Sequence, residues 1–211
     1  MLVAPARDRS LLPDASLLGA RFEDLDPARV DGTARAIVAL RSWLRAASAT
    51  RSDGTGAPES GVALVGDTGT GKTHLLTAAA SALAGALGDG IASSGYRVIL
   101  VGEAQLHEYL RRCWSSGDDA SRLRRAIAGQ NRSWLFLDDL GVAGSDERFA
   151  GEVGDLLLRR HATRFRALTV VSSNLKLSQI ERVYGARVAS RLFELLLVYP
   201  LSGDDQRRPP R

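Results

Sequence analysis

Three side-chain types are scarce in this chain of 211 residues, and each scarcity closes a class of function. A single cysteine, Cys113, excludes an intramolecular disulfide framework and a cysteine-based zinc cluster, and makes a reducing compartment the default. The three histidines, His74, His107 and His161, lack the paired spacing of a metal site. Lysine occurs only as Lys72 and Lys176, against 26 arginines. Arginine suits phosphate forks and contacts across subunits, so this bias at a net charge of +4 leaves a nucleic-acid partner open without establishing one. Long apolar runs are missing too. Leu11 to Leu18 is broken by Pro13 and Asp14, and Leu75 to Gly88 is short and punctuated by Ala and Gly, so neither an export signal nor a membrane span is expected. At 45% hydrophobic and 25% charged residues the chain fits a folded cytoplasmic protein, and its length fits one domain.

Residues 1–20 read as a flexible leader, and Val30 to Ala46 as a helix with Ile37, Leu40 and Leu44 on its buried face. The stretch 47–60 is rich in Ser, Thr, Gly, Asp and Pro and reads as an exposed loop. From Gly61, short apolar runs alternate with amphipathic helices. Strands are expected at Val62 to Val65, Tyr96 to Val101, Trp134 to Leu137, Ala167 to Ser172 and Leu196 to Leu201. A helix starts from Gly71, and another runs from Arg148 to His161 with Phe149, Val153, Leu156 and Leu157 on one face. Such alternation predicts an α/β fold, a mainly parallel five-stranded sheet with helices on both sides. The segment 103–132 is expected as a helical insertion of two helices, with Leu106, Leu110, Cys113 and Trp114 as one seam and Leu123 and Ile127 as the other.

Gly66, Asp67, Thr68, Gly69, Thr70, Gly71, Lys72 and Thr73 match GxxxxGK[ST], directly after an apolar strand and before a helix. The glycines let backbone N–H groups converge on phosphates, Lys72 reaches the outer phosphates, and the Thr73 hydroxyl is offered to Mg2+. His74 follows in the same nucleotide-binding segment and is expected to pack under the loop. A second buried strand ends in Asp138 and Asp139, 66 residues after Lys72. Two acids at a strand end are a turn or capping pair unless a cation is near; beside a phosphate loop, Asp138 would hold Mg2+ and Asp139 would orient the attacking water. Thr169 to Ser173 leads into Asn174, which either starts a turn or hydrogen-bonds the terminal phosphate and the water. Arg187 and Arg191 stand four apart on one helical face.

The segments GDTGTGKTHL, WLFLDDLG, VVSSNL and ARVASRLFE, led in by ARFEDLDP at residues 20 to 27, together resemble the AAA+ ATPases of the DnaC/IstB-like group over residues 20 to 202. The resemblance implies an ASCE-type P-loop NTPase, a three-layer sandwich whose ATP-binding domain spans 21–202, without a C-terminal helical lid and with a basic tail at 203–211. It implies ATP and Mg2+ as cofactors and Asn174 as the sensor of the terminal phosphate. Arg191, with Arg187 as a second candidate, would be a finger projected into a neighbouring copy's ATP, making the working form a homo-oligomer. Arg207 or Arg208 would be a stand-in nucleotide sensor. It also implies a role at DNA, single strands favoured, through Arg111, Arg112, Arg122, Arg124 and Arg125 of the helical insertion, although a mixed-charge solvated face is the plainer reading there. The leading role is DnaC-like loading of a replicative helicase. The alternatives are an IstB-like transposition ATPase that coats DNA and a weakly hydrolysing ATP-dependent switch. About 20 residues before Phe22 are too few for the separate module by which loaders grip a helicase.

Overall fold

Apolar runs without polar alternation make strands only where both faces are covered, and this chain covers both. The computed structural model describes residues 15–17, 19–51, 53–87, 97–130, 133–142, 146–163, 168–203 and 205. In chain order the elements are β1 (Val30–Asp31), α1 (Thr33–Ser48), β2 (Gly61–Gly66), α2 (Lys72–Leu87), β3 (Arg97–Gly102), α3 (Glu103–Ser116) and α4 (Ser121–Ile127). They continue with β4 (Ser133–Asp138), α5 (Glu147–His161), β5 (Thr169–Ser173), α6 (Leu177–Tyr184), α7 (Ala186–Leu195) and β6 (Leu196–Gly203). Most of the leader, together with Tyr96, Ala167, Arg207 and Arg208, lies outside the described residues.

The strand order is β1-β6-β2-β5-β4-β3. The five expected strands are present and mutually parallel, so the α/β reading holds. A sixth was not expected: Val30 and Asp31 pair antiparallel with Gly203 and Ser202. The helix expected from Val30 therefore starts only at Thr33, because Gly32 has φ 88° and breaks the helical path. Its buried face is centred on Ala36, Leu40, Trp43 and Ala47, with Ile37 and Leu44 flanking it half-buried. The following loop is less exposed than expected, since the helix runs through Ser48 and Thr50 is buried with its hydroxyl on Ala46 O at 3.1 Å.

Two apolar cores lie on opposite faces of the sheet, giving three layers. One joins α1 and α2 to Val62, Leu64, Trp134 and Phe136, with Trp43 edge-on to Phe136 at 5.7 Å. The other gathers α3 to α7 over Ile99, Leu135, Leu137 and Val171. Phe149, Val153, Leu156 and Leu157 are buried as their helical spacing predicts. Among the described residues no helix is long and apolar enough to cross a membrane.

At the rim where β4 and β5 begin, a charge is buried among carbonyls and hydroxyls. Arg160 is 1% exposed. Its guanidinium donates to Thr169 Oγ1 at 2.6 Å, Ser133 O at 2.7 Å, Ser133 Oγ at 3.1 Å and Ile127 O at 3.3 Å, and also to Leu168 O. Burial pushes its pKa down to about 9. The five donors of arginine in their fixed fork suit a site lined by several carbonyls and hydroxyls.

Candidate active site

Right-handed crossovers bring the carboxyl ends of the parallel strands to one rim, and the loops after β2, β4 and β5 meet there. They border a cleft of about 430 Å3 lined in part by Gly69, Gly71, Lys72, Thr73, Asp139 and Asn174. The phosphate-loop glycines Gly69 and Gly71 have φ 87° and 83°. A Cβ built on Gly69 would displace the Asp205 side chain, and the positive φ disfavours a side chain there in any case. Lys72, 4% exposed, folds back on its loop, donating to Asp67 O at 2.7 Å. Thr70 donates to the same carbonyl at 2.8 Å.

Asp138 is the hinge of the site. Thr73 Oγ1 donates to its Oδ2 at 3.0 Å and Ser172 Oγ to its Oδ1 at 2.5 Å, so β4, the loop and β5 converge on one carboxylate. Burial pushes the Asp138 carboxyl above the ordinary range and the charge of Asp139 adds to this; the bonds from Ser172 and Thr73 and the charge of Lys72 oppose it. The hydroxyl of Thr73 and the carboxylate of Asp138 are adjacent hard oxygen donors, a set that fits Mg2+ sharing its remaining positions with phosphates and water. Among the described residues no group of three or more His, Cys, Asp or Glu could hold a metal by itself.

Asp139 has φ 53°, the sole positive value at a non-glycine among the described residues. A residue held there is strained, and such strain persists only where surroundings impose it. Here Asp139 N–H donates to Ser172 Oγ at 2.9 Å, Leu140 N–H to Ser172 O at 2.8 Å, and Ser173 Oγ to Leu140 O at 2.6 Å. Asn174 Nδ2 reaches Asp139 Oδ1 at 3.3 Å, so the exposed amide and the second acid face each other at the mouth of the cleft. Ser172 and Ser173 stand inside the VVSSNL segment, yet sequence reasoning gave them no role. Two hydroxyls in a buried strand otherwise built of β-branched residues were the available signal.

His74 lies beside the loop, not beneath it. Its Nε2 is 2.8 Å from Arg21 O and it lines the cleft with Leu17, Asp24 and Leu25, tying the lead-in segment to the start of α2. Asp67, Thr68 and Gly66 keep their places in the loop, with Asp67 and Thr68 exposed. Arg187 and Arg191 are exposed on α7, and neither lines its own chain's cleft. Arg191 is held by Glu194 at 2.6 Å.

The insertion is two helices, as expected. Its arginines differ from one another: Arg122 and Arg125 are exposed, Arg111 and Arg112 lie near Glu108 at 3.0 and 4.0 Å, and Arg124 is half-buried against Glu152 at 2.5 Å. Arg124 thus leans on α5 in an ion pair with Glu152, more covered than Arg122 and Arg125.

A family model described as IstB-like ATP binding protein matches residues 55–198. Among solved structures, the fold is similar to the crystal structure of the DnaC helicase loader, with a TM-score of 0.68 at 19% identity over 90% of this chain and 100% of that chain. It is similar to AMPPCP-bound DnaA from Aquifex aeolicus, with a TM-score of 0.61 at 21% identity over 89% of this chain and 52% of that chain. The replication initiator DnaA bound to AMPPCP and single-stranded DNA gives a TM-score of 0.60 at 19% identity over 90% and 52%. The chain therefore spans about half of those DnaA chains. At these identities the likeness is one of fold. No curated protein sequence matches.

Proposed function

The chain belongs to the family of IstB-like ATP binding proteins, and from that premise we propose that it hydrolyses Mg-ATP, assembles with copies of itself on DNA, and serves DNA replication as a DnaC-like helicase loader. The observation that carries the ATPase reading is the juncture of Thr73, Asp138, Asp139 and Asn174 at the mouth of the phosphate loop. ATP would lie with its phosphates on the N–H groups of residues 66–73, and Lys72 would leave Asp67 O for the outer phosphates. Thr73 and Asp138 would hold Mg2+, which would supply charge neutralisation to the phosphates. Asp139 accepts a hydrogen bond from the attacking water and points it at the γ-phosphate, while the Asn174 amide spans the water and that phosphate. A binder that never hydrolyses needs neither group.

Among the described residues that line the cleft, no arginine fills the place of a second cation at the γ-phosphate. Arg191, or Arg187, supplied by a second copy would fill it, and such a finger contributes on the order of a thousand-fold or more in rate. Arg191 would first exchange Glu194 for phosphate. DNA would bind through Arg111, Arg112, Arg122 and Arg125. The likeness to a DnaA that holds single-stranded DNA, and to a loader, supports single strands and a replicative helicase as partners. The IstB-like family match favours a second reading, a transposition ATPase coating duplex DNA.

Steady-state ATP hydrolysis by the purified protein, with single-stranded DNA, duplex or neither, and Lys72→Ala as the blank, separates these. Stimulation by single strands that is lost in Arg191→Ala supports the loader, and stimulation by duplex alone supports the transposition reading. Turnover no greater than the blank in all three conditions refutes the ATPase reading and leaves a nucleotide switch.

A further inference from the structure

The helix that follows β3 is pinned along its length to the chain that follows β4. The two strands are parallel neighbours with their ends in register, Gly102 beside Asp138, so α3 leaves the sheet next to the turn that carries Asp139. Glu103, His107 and Trp114 fall on one stripe of α3, because a helix repeats about every 3.6 residues. Each of them holds a different point. Glu103, 0% exposed, accepts through Oε2 from Gly141 N–H, and the helix N-terminus on which it sits favours the buried anion. His107 Nε2 donates to Asp146 Oδ2 at 2.8 Å, and its ring centre lies 4.6 Å from that of the buried Phe149. Trp114 carries the Arg148 guanidinium over its ring at 4.1 Å.

These contacts give α3 a grip on two places. At its start it holds the Asp139 turn, since Val142 N–H donates to Asp139 O at 3.1 Å and Gly141 lies between them. The opposite side of that turn is held by β5, through Ser172 and Ser173. Further along, α3 holds the cap and first turn of α5. Its outer side is left to another ligand. A cleft of about 580 Å3 is lined there in part by Tyr109, Arg111, Arg112, Ser115 and Ser116. Two guanidinium forks, two hydroxyls and an aromatic ring suit a single strand, the forks and hydroxyls taking phosphates and the ring a base. Glu108 lies near both arginines and Asp118 accepts from Ser116 Oγ, so a strand exchanges these bonds for its own phosphates.

We propose that Glu103, His107 and Trp114 are positioning residues through which α3 reports a bound single strand to the Asp139 turn. The inference rests on the ATPase and DNA readings above and adds the path between the two sites. A strand that shifts or stiffens α3 acts on Gly141 through Glu103, while His107 and Trp114 anchor the helix to α5 and so direct the shift to the turn.

The test uses the full-length chain with single-stranded oligothymidylate as the probe. Amide exchange read by mass spectrometry reports the coupling without ATP. In wild type the oligonucleotide is expected to slow exchange about threefold or more in residues 139–142 as well as in α3, leaving β2 unchanged. His107→Ala is expected to keep the slowing in α3 and lose it in 139–142, with oligonucleotide affinity by fluorescence anisotropy within about twofold. His107→Gln, whose amide places a donor near the position of Nε2, is expected to restore it. Slowing confined to α3 in wild type, or kept at 139–142 in His107→Ala, overturns the proposal, and so does a chain that binds no oligonucleotide. In the ATPase assay, the factor by which the oligonucleotide raises turnover is expected to fall about fivefold or more in His107→Ala and in Arg148→Ala, with KM for ATP within about twofold. A role in stability alone would lower the Tm and leave that factor intact, which also overturns the proposal. If wild type binds ATP and never turns it over, the ATPase reading fails while the exchange result still decides the coupling. Glu103→Ala is expected to behave as His107→Ala does; if it does not fold, His107→Ala decides.

Discussion

Ser172→Ala removes one oxygen and opens almost no space, which makes its consequence calculable. The hydroxyl makes two bonds at once, donating to Asp138 Oδ1 at 2.5 Å and accepting from Asp139 N–H at 2.9 Å. A hydrogen bond to a charged group contributes about 1.5–3 kcal/mol, and an N–H left without a partner costs about 1–3 kcal/mol. The two effects share an atom and overlap, so the expected loss of stability is about 2–4 kcal/mol. For a chain of this size that lowers the Tm by about 5–15 °C. The functional loss should be selective. Asp139 keeps φ 53° only because bonds such as this one impose it, and release lets the carboxylate turn away from the water it would aim. Turnover should fall about tenfold or more. ATP affinity should stay within about threefold, because the lysine and the backbone amides of the phosphate loop do not depend on this hydroxyl. Urea unfolding, calorimetry and a fluorescent-nucleotide titration, run beside the ATPase assay, read all three. A Tm drop below about 2 °C with unchanged turnover would refute the reasoning.

Arg160→Leu should cost about 3 kcal/mol or more, measured by urea unfolding, because it removes the guanidinium donors from the carbonyls of Ser133 and Ile127 and leaves Leu168 O with Leu135 N–H alone; a loss under about 1 kcal/mol would show that water replaces the guanidinium fully. Asp146 caps α5 by accepting from Phe149 N–H at 3.0 Å and lies 2.8 Å from His107 Nε2, and these bonds, the cap first, hold its carboxyl below the usual range. Because that pKa is depressed, its contribution is present above the unfolded value and lost as pH falls through the folded one. Asp146→Ala should therefore melt below wild type near neutral pH, with the gap closing at about pH 4 and below. A gap that stays constant with pH would refute the cap's ionic character. Arg124→Ala should leave DNA affinity within about twofold while Arg122→Ala and Arg125→Ala weaken it, read by fluorescence anisotropy at fixed salt; equal weakening by all three would mean that Glu152 releases Arg124 on binding.

What could be read from the chain itself was whatever short-range order encodes. Residues 66–73 carry their glycine pattern consecutively between a strand and a helix, and a strand ending in two acids or in Asn174 declares itself locally, so the residues that line the cleft and the layered α/β architecture followed from pattern. Tertiary structure decided what depends on partners far along the chain. The strand order sets β5 beside β4, and only that neighbourhood makes Ser172 the bond between Asp138 and Asp139 across more than thirty residues. The same is true of Glu103 under Gly141, of Arg160 among the carbonyls of β4 and β5, of Arg124 turned to Glu152, and of Val30 recruited as a strand by Ser202 and Gly203. None of these has a signature in its own neighbours, because a buried polar group is defined by what closes over it, and that is fixed by topology.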